Sequence, residues 1–164
     1  MRHADAVEIN RFIQKTSPYQ ILVKSEAGKY KAVDIFSRYM LYWIDTLQKE
    51  IEKTILMLDL DNKLLENELV RLEEKMTCKR VGEPICLESN TIKKTNSIYL
   101  IENKVKIKCN GKQIGRPFYL VLFASSLEAE LNKIDPSNDT PIEDKISRFV
   151  EKKDIQDVFS LVFS

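Results

Sequence analysis

The chain has 164 residues, and its charges nearly cancel, 26 Lys+Arg against 25 Asp+Glu, with one histidine. This length allows one domain, or a small domain with an extended element. The lone His3 nearly removes His-based zinc sites and catalytic triads. At 43% hydrophobic and 31% charged, the composition is that of a foldable soluble chain, closer to long helices than to a compact globule.

Cys78, Cys86 and Cys109 are odd in number and have no metal-site spacing, which predicts a reducing compartment and no cofactor. No apolar run suits a signal peptide or approaches the roughly 18 residues that span a bilayer. The expectation is a soluble intracellular protein without a membrane partner. Counted by segment, the neutrality divides: residues 1–44 carry +3, 45–75 carry −4, 91–123 carry +6 and 124–164 carry −4.

Residues 1–33 contain Pro18, Gly28 and a strand-like Tyr19–Val23, and form an N-terminal segment of uncertain structure. From Asp34 to Met76 there is neither proline nor glycine. The spacing predicts one helix over 34–77, a coiled-coil stalk with Asp34 as its N-cap. Its d positions are Ile44, Ile51, Leu58, Leu65 and Leu72, and its a positions include Leu41, Ile55, Asn62, Leu69 and Met76. The predicted partner-binding residues are Ile44, Ile51, Ile55, Leu58, Asn62, Leu65, Leu69 and Leu72, with Asn62 fixing register. The competing reading is a long helix packed on its own domain, with Leu56, Met57, Leu60 and Leu64 giving it a second apolar face. The e positions Asp45, Glu52, Asp59, Glu66 and Glu73 are all acidic, which disfavours self-pairing and points to a heterodimer. Asp59 and Asp61 resemble a catalytic carboxylate pair. Two apart on a helix they share no face, so this reading makes them solvated flanks.

A globular head is predicted for 78–164. Cys78–Leu87 reads as a connector, and Ser97–Ile101 as a strand. Lys104–Cys109 alternates, with Val105, Ile107 and Cys109 on one face and three lysines on the other. Asn110-Gly111 is a hairpin-turn dipeptide, and Phe118–Phe123 is a continuous apolar run suited to a central strand. Leu127–Ile134 fits a helix capped by Ser125 or an alternating strand, and local propensity favours the helix. Thr140 with Pro141 and Glu143 predicts a helix start. Ile142, Ile146, Phe149 and Val150 give that helix an apolar face, and Ile155, Val158, Phe159 and Val162 predict a second. The fold expected is α+β: a long coiled-coil helix, then a small head of antiparallel sheet plus two C-terminal helices.

The layout of Arg116-Pro-Phe-Tyr-Leu-Val-Leu-Phe, Ile134-Asp-Pro-Ser, Ile142–Val150 and Asp154–Phe163 resembles the head of the kinetochore Spc-twenty-five family. That resemblance implies an RWD-like head and makes Leu127–Ile134 a strand. It implies a non-enzymatic subunit of the outer-kinetochore NDC-eighty complex, acting in chromosome segregation at the centromere in the nucleus. It further implies a heterodimer with an Spc-twenty-four-like subunit, contacts to the other NDC-eighty subunits and an inner-kinetochore receptor for the paired heads. Direct nucleic-acid binding is not expected on this reading. The alternative is a dimeric nucleic-acid-binding regulator using the basic 91–123 segment. Its lysines read more simply as protection of a strand edge.

Overall fold

The computed structural model describes residues 29–38, 40–41, 53–79 and 83–163. In chain order these form α1 (Lys29–Arg38), β1 (Ile55–Asp59), α2 (Leu65–Lys79), β2 (Ile85–Lys94), β3 (Ile98–Ile107), β4 (Gln113–Phe123), α3 (Leu127–Ile134), α4 (Ile142–Glu151) and α5 (Lys153–Phe163). The sheet order is β1-β4-β3-β2. β1 runs parallel to β4, with Ile55 opposite Tyr119 and Asp59 opposite Phe123. The β2–β3 and β3–β4 pairs are antiparallel.

Each face of the sheet carries a buried cluster. Leu56, Leu58 and Leu60 of β1 and its exit join Phe118, Leu120, Leu122, Ile101 and Val105 beneath α1 and α2. There the Phe36 ring meets Phe118 edge-on at 4.8 Å. On the opposite face Ile98, Leu100, Val121 and Phe123 pack with Leu127, Leu131, Phe149, Ile155 and Val158 of α3, α4 and α5. A strand buried on both sides needs apolar residues at every position, which is why Ile55–Leu58 and Leu120–Phe123 are continuous runs.

The long coiled-coil helix expected over 34–77 is not what the chain forms. Its centre is β1 and a turn: Asp61 and Asn62 hold φ of 56° and 58°, in the left-handed region that no helix interior contains. Asp and Asn tolerate that region, so the break needs neither glycine nor proline. Of the repeat, Ile55 and Leu58 are strand, while Leu65, Leu69, Leu72 and Met76 are helical. Leu72 and Met76 are buried on α2, and Leu65 and Leu69 pack against the same cluster.

The strand implied for Leu127–Ile134 is also corrected. It is the helix α3, capped by Ser126, whose Oγ accepts from the Ala129 N–H at 3.0 Å. Local propensity was the better guide here. A further sheet strand, β2, occupies part of what read as a connector. The strand expected at 97–101 and the alternating segment expected at 104–109 are one strand, β3, followed by a turn through Gly111 at φ 68°.

Candidate functional site

The parallel pair β1–β4 delivers two chain exits side by side. Beyond the Asp59–Phe123 register, Leu60 N–H donates to Phe123 O at 2.8 Å, Asp61 N–H to Ser125 O at 2.7 Å and Asn62 N–H to Ala124 O at 3.0 Å. These bonds clamp the Asp59-Leu60-Asp61-Asn62 segment against Ala124-Ser125. In an open sheet, ligands collect outside the carboxyl ends of parallel strands, because the loops diverge there and leave a crevice.

Asp59 ends β1 on the face carrying α3. Its carboxylate is 7% exposed and accepts the Leu127 N–H at 3.0 Å, at the amino end of α3. A buried carboxylate needs such donors, and the first turn of a helix supplies both free amides and a favourable dipole. Asp61, two residues on, is exposed and sits in the turn that φ of 56° creates. A strand end and a left-handed turn, and not a helix, set the two carboxylates relative to one another, so the helical separation expected of the pair does not apply. Beside them the Ser125 hydroxyl is buried without a hydrogen-bond partner among the described residues.

α3 also forms a wall of a second feature. Glu128, Leu131 and Asn132 line a polar groove of about 400 Å³, closed on the other side by the 138–142 segment and Lys145 of α4. Lys145 is 6% exposed; its backbone N–H donates to Pro141 O at 3.3 Å, and its positive charge acts on the Asp135 carboxylate. The groove lining holds this one lysine together with two carboxylates, Glu128 and Asp139, and so carries no excess of positive charge.

The groove rim is organised by Asp135. Its carboxylate accepts from Thr140 Oγ1 at 2.7 Å, Ser137 N–H at 2.9 Å and Arg148 at 3.3 Å. The Thr140 hydroxyl, then the Ser137 amide, with the charges of Arg148 and Lys145, hold it below the usual carboxylate range. Thr140 is thus occupied with Asp135 rather than capping α4, whose N-cap is Pro141 without a side-chain bond.

The predicted partner-binding residues are distributed differently from a helical seam. Ile44 and Ile51 lie outside the described residues. Ile55 and Leu58 are in β1, Asn62 is in the turn, and Leu65, Leu69 and Leu72 are on α2. Leu58 and Leu72 meet in one buried cluster, with Leu65 and Leu69 packed on it, whereas Ile55 packs against the other cluster. Cys109, expected in the core, is exposed at the hairpin turn. Lys145 was not singled out from sequence. Its signal is legible in hindsight, since a lysine falls on the stripe formed by Ile142, Ile146 and Phe149.

No protein-family model matches the chain, and no curated protein matches it. Among solved structures it is similar to JHP933 from Helicobacter pylori, at 15% identity and a TM-score of 0.30, over 62% of this chain and 44% of that one. It is similar also to a "putative nucleotidyltransferase" from H. pylori, at 16% identity and a TM-score of 0.31, over 96% of this chain and 65% of that one. The chain thus spans less than two thirds of the length of either. Likeness at this level assigns neither fold nor function.

Proposed function

We propose that the carboxyl end of the β1–β4 pair is a divalent-cation-dependent site for nucleotidyl transfer from a nucleoside triphosphate. The observation that carries this reading is the placement of Asp59 and Asp61, two residues apart across a strand end, beside the partnerless Ser125 hydroxyl. It rests on these residues and not on the weak structural likenesses.

Among the described residues no group of three or more His, Cys, Asp or Glu is placed to hold a metal ion. Magnesium is commonly bound by one or two carboxylates, with water and substrate phosphates completing its shell. Asp59 and Asp61 would hold it, and when bound it supplies neutralisation of phosphate charge. The chain's own contributions are two. The α3 amide fixes the Asp59 carboxylate, and the Ser125 hydroxyl offers a hydrogen bond to a phosphate oxygen. The reaction joins an acceptor oxygen to the α-phosphorus and releases pyrophosphate.

The expected result is transfer of label from α-³²P nucleoside triphosphates, dependent on magnesium or manganese, to RNA or protein acceptors. Asp59→Asn and Asp61→Asn should each reduce it at least about 100-fold, since removing one charge-stabilising group costs roughly 10²–10³ in rate. Transfer of γ-label alone would make the reaction phosphoryl transfer. Absence of both, together with no metal-dependent triphosphate binding by calorimetry, would remove the site. The kinetochore reading drew on the stalk and on the layout of the last fifty residues. With β1 and α2 in the stalk's place, no observation at this site favours it.

A further inference from the structure

We propose that the β3–β4 hairpin is a docking surface for the phosphate backbone of a nucleic acid. Between Glu102 and Glu128 there is no acidic residue, while Lys104, Lys106, Lys108, Lys112 and Arg116 fall on the hairpin. On β3, Lys104 and Lys106 alternate with the buried Val105 and Ile107, so they stand on the sheet face opposite that cluster. Residues 108–113 at the tip are all exposed.

The simplest competing role for strand lysines is to protect a sheet edge from pairing. That role is not open to Lys104 and Lys106, because β3 is an interior strand between β4 and β2. Charge pairing within the chain absorbs only part of the set. Lys106 pairs with Glu88 and Lys104, opposite Glu88 in the register, acts on the same carboxylate, whereas Lys108 and Lys112 make no side-chain hydrogen bond or ion pair among the described residues. The cations are spread along two strands and a turn, which matches a linear polyanion better than one compact anion. The tip, Lys108-Cys-Asn-Gly-Lys-Gln113, carries no large apolar side chain to enter a bilayer, so a nucleic acid fits it better than a membrane surface does.

The inference stands apart from the transfer site. Running from the hairpin to the Asp59 end, β4 separates the two by roughly 33 Å at about 3.3 Å per residue. Substitutions at the tip therefore leave the carboxylates untouched. Lys108→Ala/Lys112→Ala removes two exposed side chains but keeps the turn's backbone bonds, in which Ile107 N–H donates to Lys112 O and Gly111 N–H to Ile107 O, both at 2.8 Å.

The test is fluorescence anisotropy of the full chain with a labelled 20-nucleotide RNA and a 20-base-pair DNA duplex across a salt series. Three phosphate contacts give a log–log salt slope of about −2.7 on duplex DNA, so binding weakens about 40-fold from 50 to 200 mM salt. In the double variant one contact remains, and the same change costs about 3- to 4-fold. Lys108→Arg/Lys112→Arg should retain the wild-type slope. Equal slopes for wild type and the alanine variant would overturn the proposal. So would no binding of either nucleic acid at 50 mM salt, or tighter binding to phosphatidylserine vesicles than to both.

Discussion

Asn62 separates a strand-and-turn from a helix by the sign of one comparison. With φ of 58° it sits in the left-handed region, its N–H bonded to Ala124 O at 3.0 Å. An L-residue there costs roughly 1–2 kcal/mol, least for Asn and Asp, and glycine bears no such cost. Glycine gives back about 0.5–1 kcal/mol through the greater freedom of its unfolded chain. Asn62→Gly should therefore be close to neutral, while Asn62→Ala, which keeps the steric penalty without the tolerance of Asn, should lose about 1 kcal/mol. In a helix interior the order reverses, with alanine better than glycine by about 0.8–1.0 kcal/mol. The two structures thus differ by about 2 kcal/mol in the Gly-minus-Ala comparison, with opposite sign. The backbone bond to Ala124 is common to all three proteins and cancels. Urea denaturation followed by circular dichroism measures the difference. At a slope of about 2 kcal/mol/M the glycine variant should unfold about 0.5 M later than the alanine variant. A more stable alanine variant would refute the turn and restore a helix through this segment.

Lys145→Met removes a positive charge that acts on Asp135, so the Asp135 carboxyl, followed by NMR titration, should protonate at a higher pH in the variant. An unchanged titration would show that the lysine does not act on it. Asp135 predicts a pH dependence. Its carboxyl is held below the ordinary range, so its contribution to stability is complete above the unfolded carboxylate pKa and is lost as pH falls through the lower folded value. Wild type should thus lose more stability than Asp135→Asn between about pH 5 and pH 3 in urea titrations. Parallel curves would show that Thr140 and Ser137 do not hold the charged form.

Much of the second half of the chain was legible. The Lys104–Ile107 alternation, the Asn110-Gly111 turn and the continuous Phe118–Phe123 run each answer to a local rule, and they became β3, its turn and the centre of β4. The stripes of α4 and α5 were legible for the same reason. Leu127–Ile134 was legible as a helix from propensity, and reading it by resemblance lost it. β1 was not legible as a strand. A strand buried on both faces has no alternation, and Ile55-Leu-Met-Leu looks the same in a buried helix. Leu58 falls seven residues before Leu65 and fourteen before Leu72, so a strand residue extended the repeat of a real helix. All three face one cluster, and that shared burial is what the spacing detected. The same extension hides the carboxylates Asp59 and Asp61, because their geometry depends on whether the segment is strand or helix.

The charge blocks take on meaning once the strands are placed. The acidic 45–75 segment contributes Asp59 and Asp61 to one end of β4, and the basic 91–123 segment places its hairpin lysines at the other. At 0.1 M salt the Debye length is about 10 Å, so ends roughly 33 Å apart are electrostatically independent. A polyanion at the hairpin is not repelled by the carboxylates, and a cation at the carboxylates is not repelled by the lysines. A net charge of +1 is therefore no measure of what this chain attracts. It sums blocks of opposite sign, two of which lie at opposite ends of β4, where no ligand shorter than that strand experiences them together.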